Sequence, residues 1–204
     1  LREAWAQHLV LLFRGQDLSE ERFIAAAEIF GKLKEAGSRK YLLQGGKKAA
    51  HFLSKHPVLT VLSNLDENGN PVRENVMLGS LEVEWHSDNS YVEVPPAGSV
   101  LYSKEIPPNG SGDTSFNNQY LAYEALSEPL RKFLDGLTGV STSVKADVSK
   151  TREDMITNAG EAQNHNFMAE HTAVRTHPET GRKCLYNNAG PTPHLESMTE
   201  KTSA

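Results

Sequence analysis

The sequence predicts a mainly β domain with flanking helices, an α+β chain organised as a β-barrel or sandwich. Three observations predict it. Apolar runs of strand length occur at Leu9–Phe13, Val58–Leu62 and Ser99–Lys104, each bounded by turn-forming or polar residues. Residues Leu81 to Tyr91 begin with strict alternation: Leu81, Val83 and Trp85 point one way, and Glu82, Glu84, His86 and Asp88 the other. The helical segments are few and short, and several carry their own start signals.

Taken in order, residues 1–8 read as helix and Leu9–Phe13 as a short buried strand, followed by a turn at Gly15. Ser19 is a helix N-cap, with Glu20 and Glu21 in the first turn where the helix dipole favours acids. Phe23, Ile24, Ala27 and Phe30 form the apolar stripe of that helix, and Gly31 ends it. Residues 34–56 are polar, carry several lysines and show no clear period. Val58–Leu62 is a buried strand. Asp66 to Asn70 is a turn, with positive φ angles expected at Asn68 and Gly69. Val94-Pro95-Pro96 stops the strand that starts at Leu81. Ser99–Lys104 is a further strand, and Pro107 to Gly112 a tight loop. Asn118 to Leu126 and Pro129 to Leu137 read as paired helices, the second capped by Ser127 with Pro129 in its first turn. Residues 141–166 are polar and irregular, as in an insertion or lid. Ala173–Thr176 and Lys183–Tyr186 flank a turn and form a hairpin.

Composition excludes several classes. The chain has 204 residues, 38% hydrophobic and 23% charged, enough for one domain with a core. A formal net charge of −5 gives no electrostatic case for binding nucleic acid or an anionic membrane. Apolar runs fall short of the roughly 20 residues a membrane helix needs. Cys184 is the one cysteine, so neither an intrachain disulfide nor a cysteine-based zinc site is available. That points to a reducing cytoplasm, and the first residues lack the pattern of a secretion signal. Both ends read as cut: residues 1–8 resemble helix interior, and Thr199–Ala204 the start of a helix that does not arrive.

His86 and Asp88 carry the chemistry. Residues two apart on a strand share a face, so an imidazole nitrogen and a carboxylate oxygen can meet at one point. A non-haem Fe(II) site needs two histidines and one carboxylate on one octahedral face, with the other positions open. His-x-Asp supplies two of the three from one strand. By itself the tripeptide is also matched by chance. A solvated face of Glu82, Glu84, His86 and Asp88 fits the pattern equally, and Glu84 could compete as a ligand.

The surroundings weigh on that choice. Trp85-His86-Ser87-Asp88-Asn89-Ser90-Tyr91, Pro95 to Ser99, and Gly112-Asp113-Thr114 together resemble the signature of the taurine dioxygenase (TauD/TfdA) family. So do Val10 to Gln16, Tyr120 to Ser127, Phe133 to Leu137 and Val174 to Arg182, in that family's order. The resemblance implies a double-stranded β-helix (jelly roll), one domain over residues 1–204 lacking its C-terminal barrel strands. It implies an Fe(II)- and 2-oxoglutarate-dependent dioxygenase that hydroxylates a small organic substrate with O2, releasing succinate and CO2. His86 and Asp88 would ligate iron. Thr114 would hydrogen-bond the distal carboxylate of 2-oxoglutarate. Asn89 and Tyr91 would lie toward the substrate, with core packing the alternative for Tyr91. Glu82 stands where taurine-specific members place a polar substrate contact. An acid there would repel a sulfonate, so an amine-bearing or neutral substrate fits better. Members are often homo-oligomers, although no apolar stripe here marks an interface.

The family's third iron ligand, a distant His, and the Arg that pairs with 2-oxoglutarate both fall outside the chain. His165, His171, His177 and His194 are the candidates inside it. The resemblance marks His171 and His177 as structural. Two alternatives stay open: a truncated or non-catalytic jelly-roll binding protein, and a cupin-like metalloenzyme without 2-oxoglutarate. Thr114 argues against the second.

Overall fold

Helix starts follow the capping residues closely. In the computed structural model, which describes residues 1–35, 39, 43, 52–66, 68–71, 85–108, 110, 112–143, 167–188 and 191–203, the chain divides into two compact units. The first comprises Leu1–Leu33, Pro96–Thr138 and His171–Tyr186. It holds α1 (Arg2–His8), α2 (Glu20–Glu28), α3 (Gln119–Ala125) and α4 (Glu128–Leu134). Ser19 accepts the amide of Arg22 at the start of α2, and the Asn118 side chain accepts the amides of Tyr120 and Leu121 at the start of α3. Such caps satisfy amides that the helix leaves without partners, each contributing about 1 kcal/mol. Ser127 occupies the cap of α4 without a side-chain bond, and Pro129 lies in the first turn.

The hairpin of the first unit joins β3 (Val174–Thr176) to β4 (Lys183–Leu185), with Arg175 opposite Cys184. Its turn is built on His177, whose Nδ1 accepts the amides of Glu179 and Thr180. Helix α3 packs on β4. Arg182 lies over the Tyr120 ring, 4.3 Å from its centre, and pairs with Glu124 at 2.9 Å. Lys183 pairs with Asp135 at 2.7 Å, and the Tyr123 hydroxyl donates to the same carboxylate at 3.0 Å. In the same unit, Trp5 meets Phe30 edge-on. Its ring covers Gly98 so closely that a Cβ there would stand 2.6 Å from the indole.

The second unit comprises Lys34–Pro95, Gly139–Glu170 and Asn187–Ala204. Its sheet runs β2 (Met168–Thr172), β1 (Thr138–Thr142), β5 (His194–Leu195), with β1 and β5 antiparallel and Val140 opposite His194. A short helix, α5 (Glu200–Ser203), follows. Phe52 is a fully buried side chain of this unit.

Several expected strands are corrected. Leu9 adopts a left-handed φ of 67° and caps α1 through its amide to Trp5, so no strand starts there. Val10, Leu12 and Phe13 are exposed. In the run Val58–Leu62, Leu59 closes a turn on His56, and the ladder shrinks to one bridge between Leu53 and Thr60. Between Ser99 and Lys104 the chain is held by a side chain instead of a ladder: the Tyr102 hydroxyl takes the Leu18 amide and donates to the Gln16 carbonyl. The expected strand from Leu81 to Tyr91 lies outside the described residues over 81–84, and continues as bends and turns over 85–91. At Asp66 to Asn70, Gly69 takes a positive φ but Asn68 does not. There the Asp66 carboxylate accepts two backbone amides and closes the turn. The irregular stretch expected from 141 starts later, because Ser141 and Thr142 are buried in β1. Residues 144–166 lie outside the described residues. The helix start expected at Thr199–Ala204 is present as the short α5.

Candidate metal centre

The site is assembled from the residues of one turn. His86 follows a bend at Trp85, and Asp88 immediately precedes a turn that closes with the Val92 amide on the Asn89 carbonyl. Asn89 takes a left-handed φ of 55°, which asparagine tolerates better than most residues. The result brings the two side chains together without a strand: His86 Nε2 lies 3.1 Å from Asp88 Oδ1. The imidazole is about one-third exposed and the carboxylate more so (30% and 62%), so both remain reachable from solvent. Tyr91 donates its hydroxyl to Asn89 Oδ1 at 3.2 Å.

This spacing fits a cation. At roughly 2.1 Å per bond, two neighbouring octahedral ligands stand about 3.0 Å apart. An imidazole nitrogen and a carboxylate oxygen, both good donors for Fe(II), are held at that separation. Among the described residues, no group of three His, Cys, Asp or Glu side chains gathers to hold a metal.

The other sequence candidates each have a setting of their own. Thr114 lies in the first unit, exposed on an extended stretch. Glu82, Glu84 and His165 lie outside the described residues. His171 meets Tyr186 edge-on and His177 builds the hairpin turn, which gives both a structural task. His194 sits half-buried in β5.

Sequence reasoning missed Asn188. Its buried side chain accepts the Ser87 amide at 2.6 Å, from 101 residues away. Its backbone amide donates to Thr192 Oγ1 at 3.2 Å, and Thr192 in turn shares a hydrogen bond with Ser141 of β1 at 3.0 Å. A local motif search carries no signal for such a contact.

Known proteins resemble the chain along most of its length. The alpha-ketoglutarate-dependent dioxygenase oryG of Aspergillus oryzae is 34% identical over 178 residues, covering 80% of this chain and 52% of that protein. The alpha-ketoglutarate-dependent 2,4-dichlorophenoxyacetate dioxygenase of Cupriavidus pinatubonensis is 31% identical over 193 residues, covering 93% of this chain and 63% of that one. The chain thus spans about half to three-fifths of the length of these relatives. The crystal structure of AAD-2 in complex with Mn(II) and N-oxalylglycine superposes with a TM-score of 0.72 at 22% identity, over 98% of this chain and 67% of that one. The chain therefore shares the fold of that protein, although its described residues form helices and small sheets. The sequence model of taurine catabolism dioxygenase TauD, TfdA family, matches residues 1–204, the whole chain, so that the His86–Asp88 turn stands inside a continuous family match and the chain belongs to the TauD/TfdA family.

Proposed function

We propose that the protein containing this chain is an Fe(II)- and 2-oxoglutarate-dependent dioxygenase that hydroxylates a small organic substrate and releases succinate and CO2. The observation that carries this reading is the convergence of His86 Nε2 and Asp88 Oδ1 at 3.1 Å within the family match. Bound iron would supply O2 activation and hydrogen abstraction from a C–H bond; the protein contributes position and exclusion of water. His86 and Asp88 are two of three protein ligands. The third, a His, belongs to chain beyond these 204 residues, together with the Arg that pairs with 2-oxoglutarate and the strands that complete the jelly roll around one domain. The greater length of the relatives supports that placement.

Thr114 donates its hydroxyl to the distal carboxylate of 2-oxoglutarate in this reading. Asn89 and Tyr91, already joined by a hydrogen bond, face the substrate as one unit. Glu82 sets selectivity against sulfonates by like-charge repulsion, favouring amine-bearing or neutral substrates. The full-length protein supplied with Fe(II), 2-oxoglutarate and O2 is expected to form succinate slowly even without substrate, and His86→Ala to form none. Succinate formation equal in both proteins would overturn the assignment. Metal binding without any turnover of 2-oxoglutarate would favour the non-catalytic reading.

A further inference from the structure

We infer that Asn188 is a positioning residue for the metal ligands, acting through the peptide between them. The inference rests on the reading of His86 and Asp88 as ligands. A strand would hold two alternate side chains on one face through its ladder bonds. Residues 85–91 form bends and turns instead, so the alignment of His86 with Asp88 needs another anchor. The Ser87 amide lies between the two ligands, and it donates to Asn188 Oδ1 at 2.6 Å. That bond fixes the His86–Ser87 peptide, which adjoins the His86 Cα directly and stands one residue before the Asp88 Cα.

Asn188 is suited to this because its own position does not depend on its side chain. Its amide and carbonyl both engage Thr192, at 3.2 and 3.1 Å, and Thr192 is tied to Ser141 of β1. The side chain is therefore a short arm from a braced turn to the ligand loop. Its other end argues against a purely structural role. Asn188 Nδ2 is buried and has no acceptor among the described residues. Burying an unsatisfied donor costs stability, which an apolar residue at the same place would avoid. Partners that hold ligand side chains directly typically contribute roughly 10- to 100-fold in metal affinity, and a bond to the peptide between two ligands acts toward the lower end of that range.

The test uses the full-length protein and Mn(II) alone as the probe. In Asn188→Ala, the Ser87 amide is expected to lose its protection from hydrogen exchange, and Mn(II) affinity to fall about tenfold or more. Tyr123→Phe, which removes a hydrogen bond in the first unit, is expected to lower the melting temperature and leave Mn(II) affinity unchanged. Should the alanine variant not fold, Asn188→Thr carries the same comparison. Mn(II) affinity within twofold of wild type in a folded Asn188 variant overturns the inference while leaving the ligand assignment intact. If His86→Ala binds Mn(II) as well as wild type, the ligand assignment falls and the inference with it.

Discussion

His86 and Asp88 meet at 3.1 Å although the described residues around them, 85–91, form bends and turns where the alternation predicts a strand. The spacing in the sequence was informative, but for a different geometric reason. Two residues apart in a turn can converge as they do on a strand face, provided the intervening peptide is held. Asn89 follows with a left-handed φ, and Asn188 takes the Ser87 amide from across the second unit. The first is a local preference that asparagine announces; the second is a contact 101 residues long that no local pattern encodes. Thr114 offers a separate test at this scale. If its hydroxyl binds 2-oxoglutarate, Thr114→Val removes one hydrogen bond of about 1 kcal/mol. The apparent KM for 2-oxoglutarate should rise by roughly fivefold, with kcat little changed. An unchanged KM would remove Thr114 from the site. Cys184 gives a chemical check on the hairpin. Burial pushes its thiol up, against a smaller opposing effect of Arg175. Thiol reagents at neutral pH should therefore modify it slowly in the folded protein and quickly once unfolded.

At the scale of elements, helices and the hairpin were legible because their signals are local. Ser19, Asn118 and Ser127 each mark a helix start, and the turn from His177 to Gly181 sets the register of β3 and β4. Apolar runs were less reliable, because hydrophobicity does not name a strand's partner. Leu9 serves as a helix cap and Tyr102 as a side-chain tie, so both runs stay out of the sheets. The converse error occurred at β1, whose buried Ser141 and Thr142 read as loop because their hydroxyls conceal a core-facing strand. Gly98 tests the packing of α1. A methyl group there meets the Trp5 ring, which is itself fixed by Phe30 and by a bond from its Nε1 to the Leu9 carbonyl. Gly98→Ala should cost about 1–3 kcal/mol in denaturant melts; a neutral effect would show that the ring moves freely. The link between α4 and β4 carries a pH dependence. Lys183 beside Asp135 holds that carboxyl below its usual range, opposed by partial desolvation. Its folded value is depressed, so its contribution is present above the ordinary carboxylate range and lost as pH falls through it. The same pair raises Lys183, whose contribution is lost as pH rises through its elevated value. Both groups are solvated, so the effect is modest and weakens with salt. Lys183→Met should flatten the acid side of the stability–pH curve; an identical acid limb would show that the pair is idle.

At the scale of the whole molecule, the family match covers every residue of the chain, while the chain covers about half to three-fifths of its curated relatives. A binding site for a metal also links to global stability, because a ligand that binds the folded state stabilises it by mass action. At a Mn(II) concentration 100 times its Kd, the gain is about 2.7 kcal/mol. The melting temperature of the full-length protein should rise by roughly 4 °C, and His86→Ala should abolish the rise. The most direct measurement is anaerobic titration of the full-length protein with Fe(II) and 2-oxoglutarate, followed by visible absorption. An open Fe(II) site that chelates the 2-oxo acid should give a weak charge-transfer band, present in wild type and absent in both His86→Ala and Asp88→Ala. No band in wild type, or a band that survives either substitution, would contradict the account.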